Sequence, residues 1–569
     1  MKKRPFYSIF LLVLTLTACT PKDDTPCIVN FVNFIRAVEP RDERFTEEYL
    51  FDTTSRQLDQ LNEYGFRGTF LLQYDALIRP AYQELLKRAM AEGHEIGAWW
   101  EITEPHVRDA GLTWRGRFPW DWHANVGFAT GYTPEERERL VDVYMEKFRS
   151  IFGCYPHSVG SWFIDAHTLG YLYDHYHIEA SCNCKDQYGT DGYTLWGGYW
   201  NQAYYPSRLN AYMPAQTAEG QIPVPVFRML GSDPVLQYDH GLESHFQGVV
   251  TLEPVYRGSG GGNRRWVEWF LPAMAQSKSL AFNYIQAGQE NSFGWEAMKD
   301  GLAMQMPIIR AMADKGLFRV ETLAESGRWF KKRYPLTPPT AVTVPDDFLS
   351  DGLSAAWYDS RFYRTGLLWT DSSFVIRDIH LFDERIESDY LRRAGTTTYC
   401  EYTTPPVVDG FVWSTPAKHA GLRLVALHDD GSSTVIPVTS HECRQRGNDA
   451  LAISCTTPYG PFEMLLEEAR LTVTHKQASN RWPCLRPSQL GHPSELDASH
   501  CSVRWALEFG ADSGARLPFT RIEPKAISAT HNGYDYVLRL RRGTFVAAAP
   551  DFSLWRILPQ QNGGVSLAF

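Results

Sequence analysis

The chain has 569 residues, too many for one ordinary hydrophobic core, and its length predicts two or three domains. Its formal net charge is −10 and no dense Lys/Arg block interrupts it, which argues against nucleic acid or anionic lipid as the main partner. Aromatic residues make up 14%, with 18 Trp and 29 Tyr; core packing accounts for most of them, and clusters beside polar residues also suit sugar-stacking clefts.

Residues 1–18 carry Lys2, Lys3 and Arg4, then an apolar stretch over 6–16 that is too short to span a membrane. The stretch ends in Leu16-Thr17-Ala18-Cys19, which resembles a bacterial lipoprotein signal. That resemblance implies loss of residues 1–18, lipidation of Cys19 and a short tether over 19–26. Removal would delete three cations and no anions, moving the formal charge from −10 to −13. Lys22-Asp23-Asp24 is similar to the acidic tag that sends some lipoproteins to the cell surface. The expected location is therefore the outer membrane, exposed outside, with membrane contact through the lipid alone.

Residues 27–35 read as a hydrophobic strand that closes on Arg36, Glu39 and Arg41. A helix over 47–64, a strand over 68–74 and an amphipathic helix over 80–92 follow, and Gly93 ends that helix. The next strand, 94–100, runs into Glu101 and Glu104. An insert over 103–130 carries Trp114, Phe118, Trp120, Trp122 and His123, and it reads as a lid, a sugar platform or a loop with its own core. Thr133-Pro134-Glu135-Glu136 has the cap, proline and early acids of a helix start, and that helix runs to Phe152. Strands are predicted over 157–164, ending in Asp165 and His167, and over 180–184, followed by Lys185 and Asp186. Two more are predicted over 224–230, before Asp233, and over 279–286, running into Gln289, Glu290 and Asn291. A helix over 295–314 follows. Alternating strands and helices of this kind build parallel sheets that bind ligands at their C-terminal strand ends.

The third strand carries a resemblance. Gly93-His94-Glu95-Ile96-Gly97, after Thr69-Phe70-Leu71, resembles the polysaccharide deacetylase homology domain and the related seven-stranded barrels of glycoside hydrolase family 57. Lys315-Gly316-Leu317-Phe318-Arg319-Val320 is similar to the segment that closes such barrels. The resemblance spans 27–335 and implies a (β/α)7-type barrel. It also implies two metal-binding histidines, and Trp99 and Thr103 stand at those positions, so neither a metal nor another cofactor is expected.

Beyond the barrel, prolines 335, 338, 339 and 345 mark an extended linker over 336–345. Short alternating runs then fall over 373–379, 422–427, 434–438, 451–455, 470–475, 503–509 and 536–540. They predict an all-β, sandwich-like region over 346–569, in one or two domains. Cys443 with Cys455, and Cys484 with Cys501, are candidate local pairs, although spacing does not fix pairing. Cys182 and Cys184 read as buried packing thiols.

Carboxylates dominate the predicted strand ends, and cleaving a glycosidic bond takes two of them. Family 57 enzymes place their acids after strands four and seven, so the resemblance assigns catalysis to Asp165 and Glu290 here, with the Asp and Glu types reversed. Glu101 is expected to assist them. Substrate contacts are expected from Arg36, Glu39, Trp99, Glu104, Trp120, His123, Trp162, His167, Asp186 and Gln289. The leading expectation is a metal-independent glycoside hydrolase acting on an oligosaccharide or polysaccharide. A non-catalytic glycan-binding lipoprotein is the first alternative. A metal-dependent deacetylase with relocated ligands at His94, His123 or His240 is the second. The Gly-rich segment 258–265 lacks the context of a phosphate loop and reads as a flexible turn, from which Arg264 and Arg265 could meet an acidic sugar.

Overall fold

Nine consecutive buried residues, Cys27–Ile35, form the central strand β1. A strand covered on both faces loses its alternation, which is why this segment is apolar almost throughout. In the computed structural model, which describes residues 25–569 apart from 243, 245, 249, 278, 371, 372, 477–481, 484–501, 561 and 562, six further strands run parallel to it, besides the two-residue strand Arg319–Val320. They are β2 (Thr69–Leu72), β3 (Glu95–Trp99), β4 (Ser158–Gly160), β5 (Ala180–Asn183), β6 (Val226–Arg228) and β7 (Asn283–Ala287). The order around the sheet is β7-β1-β2-β3-β4-β5-β6, and among the described residues no ladder joins β6 to β7. The result is a nearly closed β/α barrel. All seven strands lie where the sequence pattern puts them. Cys19, the lipoprotein signal, and Cys484 with Cys501 fall outside the described residues.

The helices follow their local signals. Thr133 and Glu136 form a reciprocal capping box at the start of Pro134–Phe152, and Gly153 ends the helix in the left-handed conformation that favours glycine. The helix Arg264–Gln276 begins within the segment 258–265 expected to be a flexible turn. Asn263 caps it, and Gly261 packs so tightly that a Cβ would lie 1.9 Å from the Leu252 carbonyl oxygen.

The C-terminal region consists of two antiparallel sheets of 11 and eight strands. Trp505, Phe509 and Trp555 from one sheet share a core with Phe462, Leu471 and Leu567 from the other. Thr340–Val344, within the predicted linker, pairs along Ser354–Asp359 as an edge strand. Its β-branched residues suit a pleated surface, and Pro338 and Pro339 lie just outside the ladder. Cys443 and Cys455 are both free thiols, contrary to the expected local pair: Cys443 lies opposite Ile453 and Cys455 opposite His441. Cys182 and Cys184 are buried.

Barrel and sandwich are stitched together by several contacts, two of which matter for the site. Cys400–Thr403 adds in parallel to Tyr193–Trp196, a strand of the hairpin that follows β5. Deeper in, Arg364 of the sandwich is buried between Asp186 of the barrel and Asp378.

Candidate active site

A cavity of about 780 Å³ opens at the C-terminal ends of the barrel strands. Arg36 follows β1, Glu101 follows β3, Trp162 follows β4 and Glu290 follows β7, and all four line it. The size is that of ordinary ligand clefts.

Arg36 organises the floor. Its guanidinium makes a two-pronged contact with Glu101 at 2.9 and 3.0 Å. Nη1 reaches Glu290 at 3.1 Å, Glu39 at 3.5 Å and the Ser292 hydroxyl at 3.0 Å. The cation also lies 4.2 Å from the centre of the Trp120 ring. Burial opposes the charge on Arg36, but the surrounding carboxylates outweigh it and the group stays protonated. Glu101 has a further donor, Gln73 Nε2, at 2.7 Å.

The cavity carboxyls are not equivalent. Burial disfavours the charge on Glu39, yet two hydrogen bonds from Arg41 (2.6 and 2.7 Å) and the field of Arg36 prevail and hold its pKa below the usual range. Burial raises Glu290, with Arg36 opposing the rise. Glu253 is pushed up to about 7 by burial, against hydrogen bonds from the Thr251 hydroxyl (2.7 Å) and Gln289 Nε2 (3.2 Å). No described cation lies within ion-pair distance of Glu253. Gln289 links the two acids: its amide oxygen also accepts from the Glu290 N–H at 2.9 Å.

Arg36, Glu39, Glu101, Trp120, His123, Trp162 and Glu290 thus line the cavity together, whereas the other expected site residues do not. Asp165 is fully buried at the start of the helix Ala166–Tyr176. Its oxygens accept from Thr168 N (2.9 Å) and Thr168 Oγ1 (2.7 Å) and pair with Arg137 at 2.8 Å. A carboxylate with both oxygens committed in this way is a cap and a counter-ion, and the geometry lends no support to the expected partnership of Asp165 with Glu290. His167 turns to Glu138 at 3.0 Å and Glu104 to Arg108 at 2.5 Å. Asp186 is consumed by Arg228, Arg364 and the Tyr212 hydroxyl. Trp99 is wholly buried, stacked on Phe34 at 4.1 Å. Gln289 acts behind the wall through its two glutamates.

The metal expected of deacetylase barrels does not fit these residues. The indole of Trp99 offers no lone pair, and it packs in the aromatic core. Among the described residues no group of three or more His, Cys, Asp or Glu side chains is arranged to hold a metal. Of the alternative ligands, His94 lies at the opposite end of β3, bonded to Gly68 N and Asn62 at 3.0 Å each. His123 lies at the mouth, and His240 does not line the cavity.

Glu253 and Tyr399 are among the wall residues that escaped the sequence reading. Glu253 sits in an irregular segment after β6 whose only signal is a lone Glu after an apolar run. Tyr399 comes from the sandwich region, about 200 residues beyond the hairpin it touches, and nothing local marks it.

No protein-family model matches the chain, and neither does any curated protein. Among solved structures, a proposed glycoside hydrolase/deacetylase from Parabacteroides distasonis is 18% identical, with a TM-score of 0.47 over 70% of this chain and 89% of that one. A proposed polysaccharide deacetylase from Mycobacterium smegmatis is 14% identical, with a TM-score of 0.35 over 55% and 92%. One from Pseudomonas aeruginosa PAO1 is 12% identical, with a TM-score of 0.33 over 55% and 93%. Likeness at this level carries no conclusion about chemistry, which rests on the cavity itself.

Proposed function

We propose that the chain is a carbohydrate-active hydrolase that cleaves a glycosidic bond with Glu253 as general acid and Glu290 as nucleophile or base. One observation carries the reading: two buried carboxyls line one cavity, and of the two only Glu290 has a described cation within ion-pair distance. Glu290 has Arg36 at 3.1 Å, which opposes the rise that burial imposes on it. No described cation lies within ion-pair distance of Glu253, whose pKa is about 7. Two acids set apart by their surroundings are what acid–base hydrolysis of a glycoside needs. Up to about pH 7 a substantial share of Glu253 holds a proton that it can pass to the leaving oxygen. Glu290 then attacks the anomeric carbon or takes a proton from the attacking water. Glu101 holds Arg36 in place and does not itself react.

The test uses aryl glycosides with good and poor leaving groups. Glu253→Gln should slow poor leaving groups by about 10²–10⁴-fold, the usual worth of a positioned acid, and spare good ones. Because Glu253 must be protonated, the wild-type rate should fall as pH rises through about 7, and the variant should lose that limb. Glu290→Gln should remove turnover with every leaving group. Equal losses across leaving groups in Glu253→Gln would overturn the assignment. Tight glycan binding with no turnover in the wild type would favour a binding protein instead.

A further inference from the structure

The aromatic insert looks in sequence like a sugar platform, but the rings it brings to the cavity, Trp120 and Trp122, and Trp162 after β4 already pack against other rings or cations. The guanidiniums of Arg36 and Arg41 lie 4.2 and 5.0 Å from the centre of Trp120. Trp122 stacks with Phe118 at 5.7 Å and also meets Arg117 at 4.8 Å. Trp162 is held edge-on between Phe34 and Trp99. Tyr399 is different. It lines the cavity, is 38% exposed, and has no ring or cation partner among the described residues.

Its position is nevertheless fixed. The phenol oxygen is hydrogen-bonded to the Thr194 hydroxyl. The backbone is pinned on both sides: Thr398 O accepts from Ala124 N at 3.1 Å, and Cys400 N donates to Gly192 O at 3.2 Å. An exposed ring locked in this way loses little freedom when it takes up a ligand. The apolar C–H face of a sugar ring is the complement that a flat, accessible phenol at a cavity rim can accept.

We infer that Tyr399, carried by the sandwich region, is the stacking platform for an outer sugar unit, so that the substrate is an oligosaccharide and not a single sugar. This rests on the glycosidase reading and extends it from the bond-breaking centre to the rim. The β-sandwich region is on this account part of the substrate site.

The experiment compares wild type, Tyr399→Ala and Tyr399→Phe on cellopentaose, xylopentaose, maltopentaose and chitopentaose, and on the matching glycosyl fluorides, which place nothing in the outer cavity. For the pentasaccharide that is cleaved, Tyr399→Ala should raise KM about tenfold with kcat unchanged, the scale of one lost ring contact. Tyr399→Phe should stay within about twofold of wild type, and the glycosyl fluoride should not distinguish the three proteins. An unchanged KM in Tyr399→Ala, an equal rise on the fluoride, or a Phe variant as poor as Ala would overturn the platform alone. If wild type neither binds nor cleaves any pentasaccharide or fluoride, the glycosidase reading falls and the platform with it.

Discussion

Replacing Asp165 with Asn separates a structural from a catalytic role at the most conspicuous strand-end acid. Asp165 and Arg137 are both fully buried and 2.8 Å apart. The same guanidinium also holds the carbonyls of Ala129, Tyr132, Tyr390 and Arg393. The last two belong to a strap, residues 383–399, that carries Tyr399 to the cavity. Asn keeps the shape and one acceptor for Thr168 but removes the charge, leaving Arg137 buried without a counter-ion. Breaking one side of a buried pair costs about 3–5 kcal/mol. Asp165→Asn should lose about that much in urea unfolding followed by tryptophan fluorescence, and the strap should become more open to proteolysis. Adding Arg137→Met should cost less than the two single changes combined, since the orphaned charge disappears with it. Stability within about 1 kcal/mol of wild type, far below that range, together with a turnover loss of about 10³-fold or more, typical of a lost catalytic group, would refute this reasoning. Such a result would return Asp165 to the catalytic pair.

Asp359 gives a pH prediction with a definite sign. Burial pushes its pKa up to about 7 against a hydrogen bond from Trp200 N at 2.8 Å, so the folded state binds its proton more tightly than the unfolded chain. Its contribution to stability is therefore complete below about pH 4, the unfolded value, and is lost as pH rises through about 7. Asp359→Asn should stabilise the protein at pH 8, by at most about 4 kcal/mol, and change little at pH 4; no difference between the two pH values would count against it. Because Trp99 and Thr103 stand where histidines would bind a metal, exhaustive chelation should leave turnover intact, and loss restored by zinc would contradict the donor-set argument. Cys19→Ala should move the protein from the membrane to the soluble fraction if Leu16-Thr17-Ala18-Cys19 is a lipidation signal, and unchanged membrane retention would reject that.

The barrel was legible because its physics is local. Strands buried on both faces must be apolar along their length, and capping residues such as Thr133 with Glu136 must sit at fixed offsets, so segments like Cys27–Ile35 and Pro134–Phe152 announce themselves. Strand order and the end of the barrel where chemistry belongs then follow from the alternation of elements, and Arg36, Glu101 and Glu290 were found that way. Which strand-end acid faces the cavity is not local. Asp165 and Glu290 follow their strands alike in sequence. Asp165, however, caps a helix beneath Arg137, and Glu290 lies on the wall beside the Arg36 guanidinium. Glu253 and Tyr399 reach the same cavity from an irregular segment and from the C-terminal β region, and only the packing of those segments against the barrel brings them there. The pattern of residues sets which segments pair and bury. The charge a carboxyl carries and the ring a sugar meets depend on distances between groups far apart in the chain, and those exist only once it is folded.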